Sequence, residues 1–134
     1  MIGLFTCFGG AAYSLALAKA CIRLWGEYPD DIRIVCLASV AAGVEKVIAA
    51  YKPTYGKFDN LLILDGCESK CASKIFENNK DLKPQKSIVI TELLGKKKKK
   101  GLSTENEDEE VYTAIKRELL EFLPKLEPPC VCCT

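Results

Sequence analysis

The sequence predicts an α/β fold in which a sheet of four mostly parallel strands lies between two layers of helices, a three-layer sandwich. Four short segments are almost continuously apolar, as strands are when helices cover both faces of a sheet. Between these segments, apolar residues recur at intervals of three and four, which places their side chains on one face of a helix. Strands and helices therefore alternate along the chain, as parallel strands joined by helical crossovers require.

The four predicted strands each end at a turn or at the start of a helix, and they cover residues 2–7, 32–37, 61–65 and 87–91. A helix is predicted after each strand. The residues expected on the buried helix faces are Ala11, Leu15, Ala18, Ile22 and Trp25 for the first helix, and Val40, Val44, Val47 and Tyr51 for the second. For the third, over 68–79, they are Ala72, Ile75 and Phe76, and for the fourth they are Val111, Ile115, Leu119 and Phe122 or Leu123. This arrangement favours the strand order 2-1-3-4, a short flavodoxin-like or Rossmann-like sheet. The loops that follow the strands then share one edge, where ligands are expected.

The length and composition are those of a single globular domain. The chain has 134 residues, of which 49% are apolar and 28% charged, and a chain of this length can bury a core of its own. We expect one α/β domain over residues 1–127. Within it, residues 96–106 begin with a run of five lysines and are predicted to form a charged, flexible loop. Residues 128–134, which follow the domain, are predicted to form a flexible, cysteine-rich tail.

Charge and hydropathy exclude several functional classes. The formal net charge is only +1, whereas proteins that bind nucleic acids carry a clear basic excess, so no nucleic-acid partner is expected. No apolar run reaches the ~18 residues needed to cross a membrane, and the first residues lack the basic start of a secretion signal. The sequence therefore predicts a cytoplasmic protein with reduced thiols. It does not indicate a protein partner or an oligomeric state.

The cysteine and histidine content limits which catalytic groups and metal ligands the chain can supply. The chain contains 8 cysteines and no histidine, which excludes catalysis by a Ser-His or Cys-His pair and leaves thiolates and carboxylates as metal ligands. Cys7 ends the first predicted strand, Cys36 lies near the end of the second, and Cys67 and Cys71 follow the third, on one face of the next helix. Because neighbouring strand ends lie ~4.8 Å apart, we expect the four thiols to meet at one edge of the sheet. Four thiolates suit a tetrahedral zinc ion.

Four further residues are expected to line this site. Asp65 ends the third predicted strand, and its carboxylate is predicted to cap the helix that follows. Gly9, Gly10 and Gly66 are predicted to permit tight turns and a close approach of the backbone to the site.

The remaining cysteines are not assigned to the site. Cys21 lies within the first predicted helix among alanine and isoleucine, where packing in the core or on the surface is expected. Whether Cys130, Cys132 and Cys133 of the tail bind a metal is left open by the sequence.

The segment Leu64-Asp65-Gly66-Cys67-Glu68-Ser69-Lys70-Cys71 resembles the motif for which the DGC-domain family is named. The segment Cys7-Phe8-Gly9-Gly10 is similar to that family's early cysteine with paired glycines, and Cys36-Leu37-Ala38 is similar to its second cysteine block. The resemblance covers about residues 2–92 and departs from the family at Glu68, where we expect proline. It implies a zinc site formed by the four cysteines Cys7, Cys36, Cys67 and Cys71, and it implies no particular reaction.

Three functions follow from these residues. The favoured one is a zinc-binding protein without enzymatic activity, because a closed four-thiolate site leaves no position for a reacting water and no catalytic constellation is recognisable. The alternative is an iron–sulfur or thiol-redox protein that uses the same cysteines. The third is a cysteine phosphoryl carrier, because Cys7 before a glycine-containing loop resembles the sugar-phosphotransferase B component. This third function leaves Cys36, Cys67 and Cys71 unexplained.

Overall fold

The computed structural model describes residues 1–122 and has the predicted α/β architecture. All four strands are parallel and form one sheet in the order β2-β1-β3-β4. They are β1 (Ile2–Thr6), β2 (Ile32–Ile34), β3 (Asn60–Asp65) and β4 (Lys86–Val89). The fold class and the strand order predicted from the apolar runs are therefore confirmed. The predicted tail over 128–134 lies outside the described residues.

Helices connect the strands and cover both faces of the sheet. Within residues 1–122 they are α1 (Ala12–Glu27), α2 (Leu37–Ala41), α3 (Glu45–Tyr51), α4 (Cys71–Glu77), α5 (Ile90–Leu94) and α6 (Glu105–Leu119), with a short 3-10 helix at Pro53–Tyr55. In this part of the chain, no helix combines the length and the apolar character that a membrane crossing needs.

The core consists of two apolar clusters, one on each face of the sheet. Leu4 and Leu62 of the central strands pack on one face against α1 and α6. Their neighbours Phe5 and Ile63 pack on the other face against α2, α3 and α4. Because successive side chains of a strand point to opposite faces, a strand that is buried on both sides must be apolar throughout. This is the physical origin of the continuous apolar runs in the sequence.

Three of the four strands end earlier than predicted. β1, β2 and β4 end at Thr6, Ile34 and Val89, before the predicted ends at 7, 37 and 91. The apolar run continues past β2 and β4 because the residue that follows each of them is also buried: Val35 is 4% exposed, and Ile90, in the first turn of α5, is fully buried. An apolar run therefore marks burial and not the end of the hydrogen-bonded strand.

The helix predicted over Val40, Val44, Val47 and Tyr51 is in fact two helices. Gly43 lies between α2 and α3 with a φ of 72°, a left-handed conformation that interrupts a right-handed helix and that glycine adopts without a steric penalty. The prediction of one continuous helix is wrong for this reason.

The buried face of α1 also differs from the prediction. Ile22 and Trp25 are 61% and 38% exposed, whereas Leu17, Cys21 and Leu24 are fully buried. Because most residues of α1 are apolar, the periodicity does not determine which face turns towards the sheet. Cys21, for which packing in the core or on the surface is expected from the sequence, packs in the core.

The last described helix, α6, begins six residues before the predicted stripe that starts at Val111. Glu107 N–H donates to Thr104 Oγ1 (3.2 Å), and Thr104 N–H donates to Glu107 Oε1 (2.9 Å). This reciprocal pair is a capping box, which satisfies two backbone donors at the helix start. The acidic residues around it also favour the helix dipole.

Candidate functional site

A pocket of about 420 Å³ opens at the carboxyl edge of the sheet, between the loop after β1 and the turn after β3. The predicted site residues that line this pocket are Cys7, Gly9, Gly10, Asp65, Cys67 and Cys71. Three of the four predicted cysteine ligands thus line one cavity, Cys7 from the loop after β1 and Cys67 and Cys71 from the connection between β3 and α4. We call this cavity the thiol pocket.

Cys7 is the most strongly held of these thiols. Its Sγ accepts a hydrogen bond from Gly66 N–H (3.0 Å), and its thiol donates to Ser14 Oγ (3.6 Å). Burial raises the pKa of the Cys7 thiol, and this effect exceeds the lowering by the hydrogen bonds with Ser14 and Gly66. The thiol is therefore fixed between the ends of β1 and β3 and the first turn of α1.

Cys67 and Cys71 lie on the turn after β3 and at the first residue of α4. Cys67 is buried and Cys71 is exposed. Lys70, between them, has a φ of 51°, a left-handed conformation that is uncommon for a residue with a side chain. The helix therefore begins at Cys71 and not at Glu68, so the prediction that both cysteines share one helix face is wrong. The turn nevertheless brings both residues to the thiol pocket.

Asp65 caps α4, as predicted from its place at the end of β3. Its Oδ1 accepts a hydrogen bond from Ala72 N–H (2.8 Å), and its Oδ2 accepts from Ser73 N–H (3.2 Å) and Ser73 Oγ (2.6 Å). The residue is 1% exposed. Both carboxylate oxygens are thus engaged in fixing α4 against the end of the strand.

Cys36 does not line the thiol pocket. It follows β2 by two residues and lines a second pocket, of about 440 Å³, whose wall is mostly apolar. Phe8, which is 77% exposed, lines both pockets and therefore lies between Cys36 and the three cysteines of the thiol pocket.

The thiol of Cys36 has polar neighbours of its own. Ser39 Oγ donates to Cys36 Sγ (3.0 Å), and this bond is the main reason why the pKa of the Cys36 thiol is lowered. The Cys36 backbone N–H donates to the Tyr51 hydroxyl (2.9 Å). By contrast, complete burial raises the pKa of Cys21 to about 12.

The conformation described does not assemble a metal centre. Within residues 1–122, no three cysteine, aspartate or glutamate side chains lie together in a way that could hold a metal ion. The chemistry of the donor set suits zinc, because soft thiolates are available and histidine is absent. The positions of the thiols, however, require a local change before they surround one ion.

Four polar residues that line the thiol pocket were not predicted from the sequence. They are Ser14, Lys70, Lys98 and Lys100. Lys98 and Lys100 belong to the lysine run, which is predicted from the sequence to be a flexible loop. The mobility of that loop remains a prediction. No local sequence pattern identifies Lys98 and Lys100 as pocket residues, because their position depends on pairing with a loop nearly ninety residues earlier in the chain.

A known protein family matches most of the chain. The sequence model of the DGC domain matches residues 3–116. The chain belongs to the DGC-domain family. The match extends beyond residue 92 and takes in the lysine run and most of α6. No curated protein and no solved structure matches the chain.

Each residue of the DGC motif has a distinct place in the fold. Asp65 caps α4, Gly66 donates its N–H to Cys7, and Cys67 lines the thiol pocket. Gly66 also packs directly on α1, since a Cβ at this position would lie 2.6 Å from Ser14 Cα. The motif therefore joins the end of β3 to α4 and α1, and the thiol pocket forms at this junction.

Proposed function

We propose that this DGC domain is a zinc-binding protein, with Cys7, Cys67 and Cys71 as the central donors and Cys36 as the fourth. The observation that carries the proposal is that three thiols from two separate connections, the loop after β1 and the turn from β3 into α4, line one pocket at the carboxyl edge of the sheet. Buried cysteines that serve only as small apolar residues have no reason to gather at one cavity.

The proposal requires a local closure on metal binding. Cys36 and Cys71 are both exposed, and Phe8, which lines both pockets, projects largely into solvent. A movement of these three residues therefore disturbs little of the core. Metal affinity commonly supplies the free energy that assembles such sites, and thiols lose their protons as they bind.

A centre with four thiolates has a structural or regulatory role. Zinc in such a centre acts by cross-linking the segments that supply its ligands, and no position remains for a reacting water. In this chain the linked segments are the loops after β1, β2 and β3. Because the two-sided core does not depend on these loops, metal removal should loosen the edge of the sheet and leave the domain folded.

The test is the metal content of protein produced without a histidine tag. We expect one zinc per chain, and we expect Cys7→Ser, Cys67→Ser, Cys71→Ser and Cys36→Ser each to lower zinc affinity at least tenfold, because each removes a thiolate. Elemental analysis combined with competition against a zinc chelator measures both quantities.

Two controls accompany this test. Cys21→Ser, at a buried cysteine away from the pocket, and a chain ending at Glu127, which lacks the three tail cysteines, should both retain one zinc. Equal retention of zinc in Cys21→Ser and the four site variants would contradict the proposal. A brown protein that contains iron would instead support the iron–sulfur alternative.

A further inference from the structure

The lysine run is attached to the loop that carries Cys7. Ala11 and Lys100 form an antiparallel bridge. Ala12 N–H donates to Lys99 C=O (2.7 Å), and Gly101 N–H donates to Gly10 C=O (2.9 Å). These backbone bonds hold residues 99–101 against the mouth of the thiol pocket.

This pairing sorts the lysine side chains by position. In an extended segment, alternate side chains point to opposite sides. Lys98 and Lys100 line the thiol pocket, whereas Lys99 forms an ion pair with Glu107 Oε1 (3.4 Å). The backbone pairing thus determines which lysines of the run lie at the pocket.

The positive charge at the pocket is not balanced by carboxylates. Lys70 is a third lysine in its lining, and the one acidic residue there, Asp65, uses both oxygens to cap α4. Among residues 1–122, no carboxylate forms an ion pair with Lys70, Lys98 or Lys100. The pocket therefore combines a volume suited to a small molecule with three lysines that have no acidic partner in the described part of the chain.

We infer that the thiol pocket binds a small molecule through a phosphate group held by Lys98 and Lys100. A phosphate monoester carries nearly two negative charges at pH 7, which matches the two ammonium groups supplied by the paired segment. The volume of about 420 Å³ leaves room for an organic group beyond the phosphate. The inference goes beyond zinc binding and does not rest on it, because the backbone pairing places the lysines without any metal.

The test uses inorganic phosphate as the probe and the full chain at low ionic strength. Binding is followed by amide chemical shifts in metal-free and in zinc-loaded protein. We expect saturable shifts at Gly9, Gly10 and Ser69, and a phosphate affinity at least tenfold weaker in Lys98→Ala/Lys100→Ala, because this variant removes both ammonium groups.

The matched control is Lys96→Ala/Lys97→Ala, which removes the same charge from the same run at residues that do not line the pocket. This control should keep the affinity within a factor of two or three. Absence of saturable binding to the unmodified chain would overturn the inference. Equal weakening in both double variants would also overturn it, since the attraction would then be a general effect of charge.

The zinc proposal and this inference fail separately. The variant Lys98→Ala/Lys100→Ala keeps all the cysteines and should retain one zinc. If the unmodified chain lacks zinc but binds phosphate through Lys98 and Lys100, the zinc proposal fails and the inference stands.

Discussion

Replacing Gly66 with alanine should destabilise the domain severely. A Cβ at this position would lie 2.6 Å from Ser14 Cα and 2.7 Å from Ser14 N. Because both are backbone atoms of α1, no side-chain rotation relieves the overlap, and α1 must move away from the end of β3. We expect a loss of about 3 kcal/mol in the free energy of unfolding, at the upper end of the cost of overpacking a core.

The measurement is urea unfolding of the two chains under the same conditions, with Gly9→Ala as the matched control. Gly9 lies at the same edge, and a Cβ there would have no heavy atom within 4 Å. The control should therefore change stability by less than about 0.5 kcal/mol. If Gly66→Ala were as stable as Gly9→Ala, the close packing of the motif on α1 would be disproved.

Replacing Asp65 with alanine should have an effect of similar size. The substitution removes three hydrogen bonds to α4 and leaves the Ala72 N–H, which is buried, without a partner. Bonds to charged groups contribute about 1.5–3 kcal/mol each, and a buried donor left unpaired costs about 1–3 kcal/mol. Since these contributions overlap, we expect a total loss of about 3 kcal/mol, measured by urea unfolding.

Ser73→Ala serves as the comparison, because it keeps both backbone bonds to Asp65 and removes the hydroxyl bond to Asp65, together with an exposed hydrogen bond between the Ser73 and Ser87 hydroxyls (3.0 Å). It should cost about 1 kcal/mol. In the double variant Asp65→Ala/Ser73→Ala, the Ser73 hydroxyl is removed from a chain that already lacks its carboxylate partner, so the two losses should not add. A loss below about 0.5 kcal/mol for Asp65→Ala would contradict the assignment of this carboxylate as the cap of α4.

The fold could be predicted because its strands are buried on both faces. Runs such as Leu61–Leu64 are apolar in every position, and this property specifies a parallel sheet covered by helices. The ends of the elements could not be predicted in the same way. Ile90 and Val35 are as buried as the strand residues before them, so burial continues where the backbone already turns towards the next helix.

The candidate site could be predicted in part for a related reason. Cys7 and Cys67 follow adjacent central strands, so the strand order is sufficient to bring them to one edge. The position of Cys36 depends on a finer detail. Because β2 ends at Ile34, the chain turns away before Cys36, whose backbone bonds to Tyr51 and whose thiol bonds to Ser39. The prediction of a strand over residues 32–37 missed this turn, and it therefore placed Cys36 with the other three cysteines.

The lysines at the pocket could not be predicted from sequence spacing. Lys98 and Lys100 reach the thiol pocket through the antiparallel bridge between Ala11 and Lys100. Such a contact joins segments far apart in the chain and leaves no periodic signal near either of them. A run of identical residues also gives no indication of which members face inwards.

The central claim is that the thiols of this DGC domain bind one zinc ion together, and X-ray absorption at the zinc edge tests it most directly. The zinc-loaded full chain should show four sulfur neighbours at ~2.3 Å. Cys36→Ser should replace one sulfur by a lighter atom, and Cys21→Ser should leave all four. A zinc ion with mostly oxygen or nitrogen neighbours, or a sulfur shell that is unchanged in Cys7→Ser, Cys36→Ser, Cys67→Ser and Cys71→Ser, would contradict the claim.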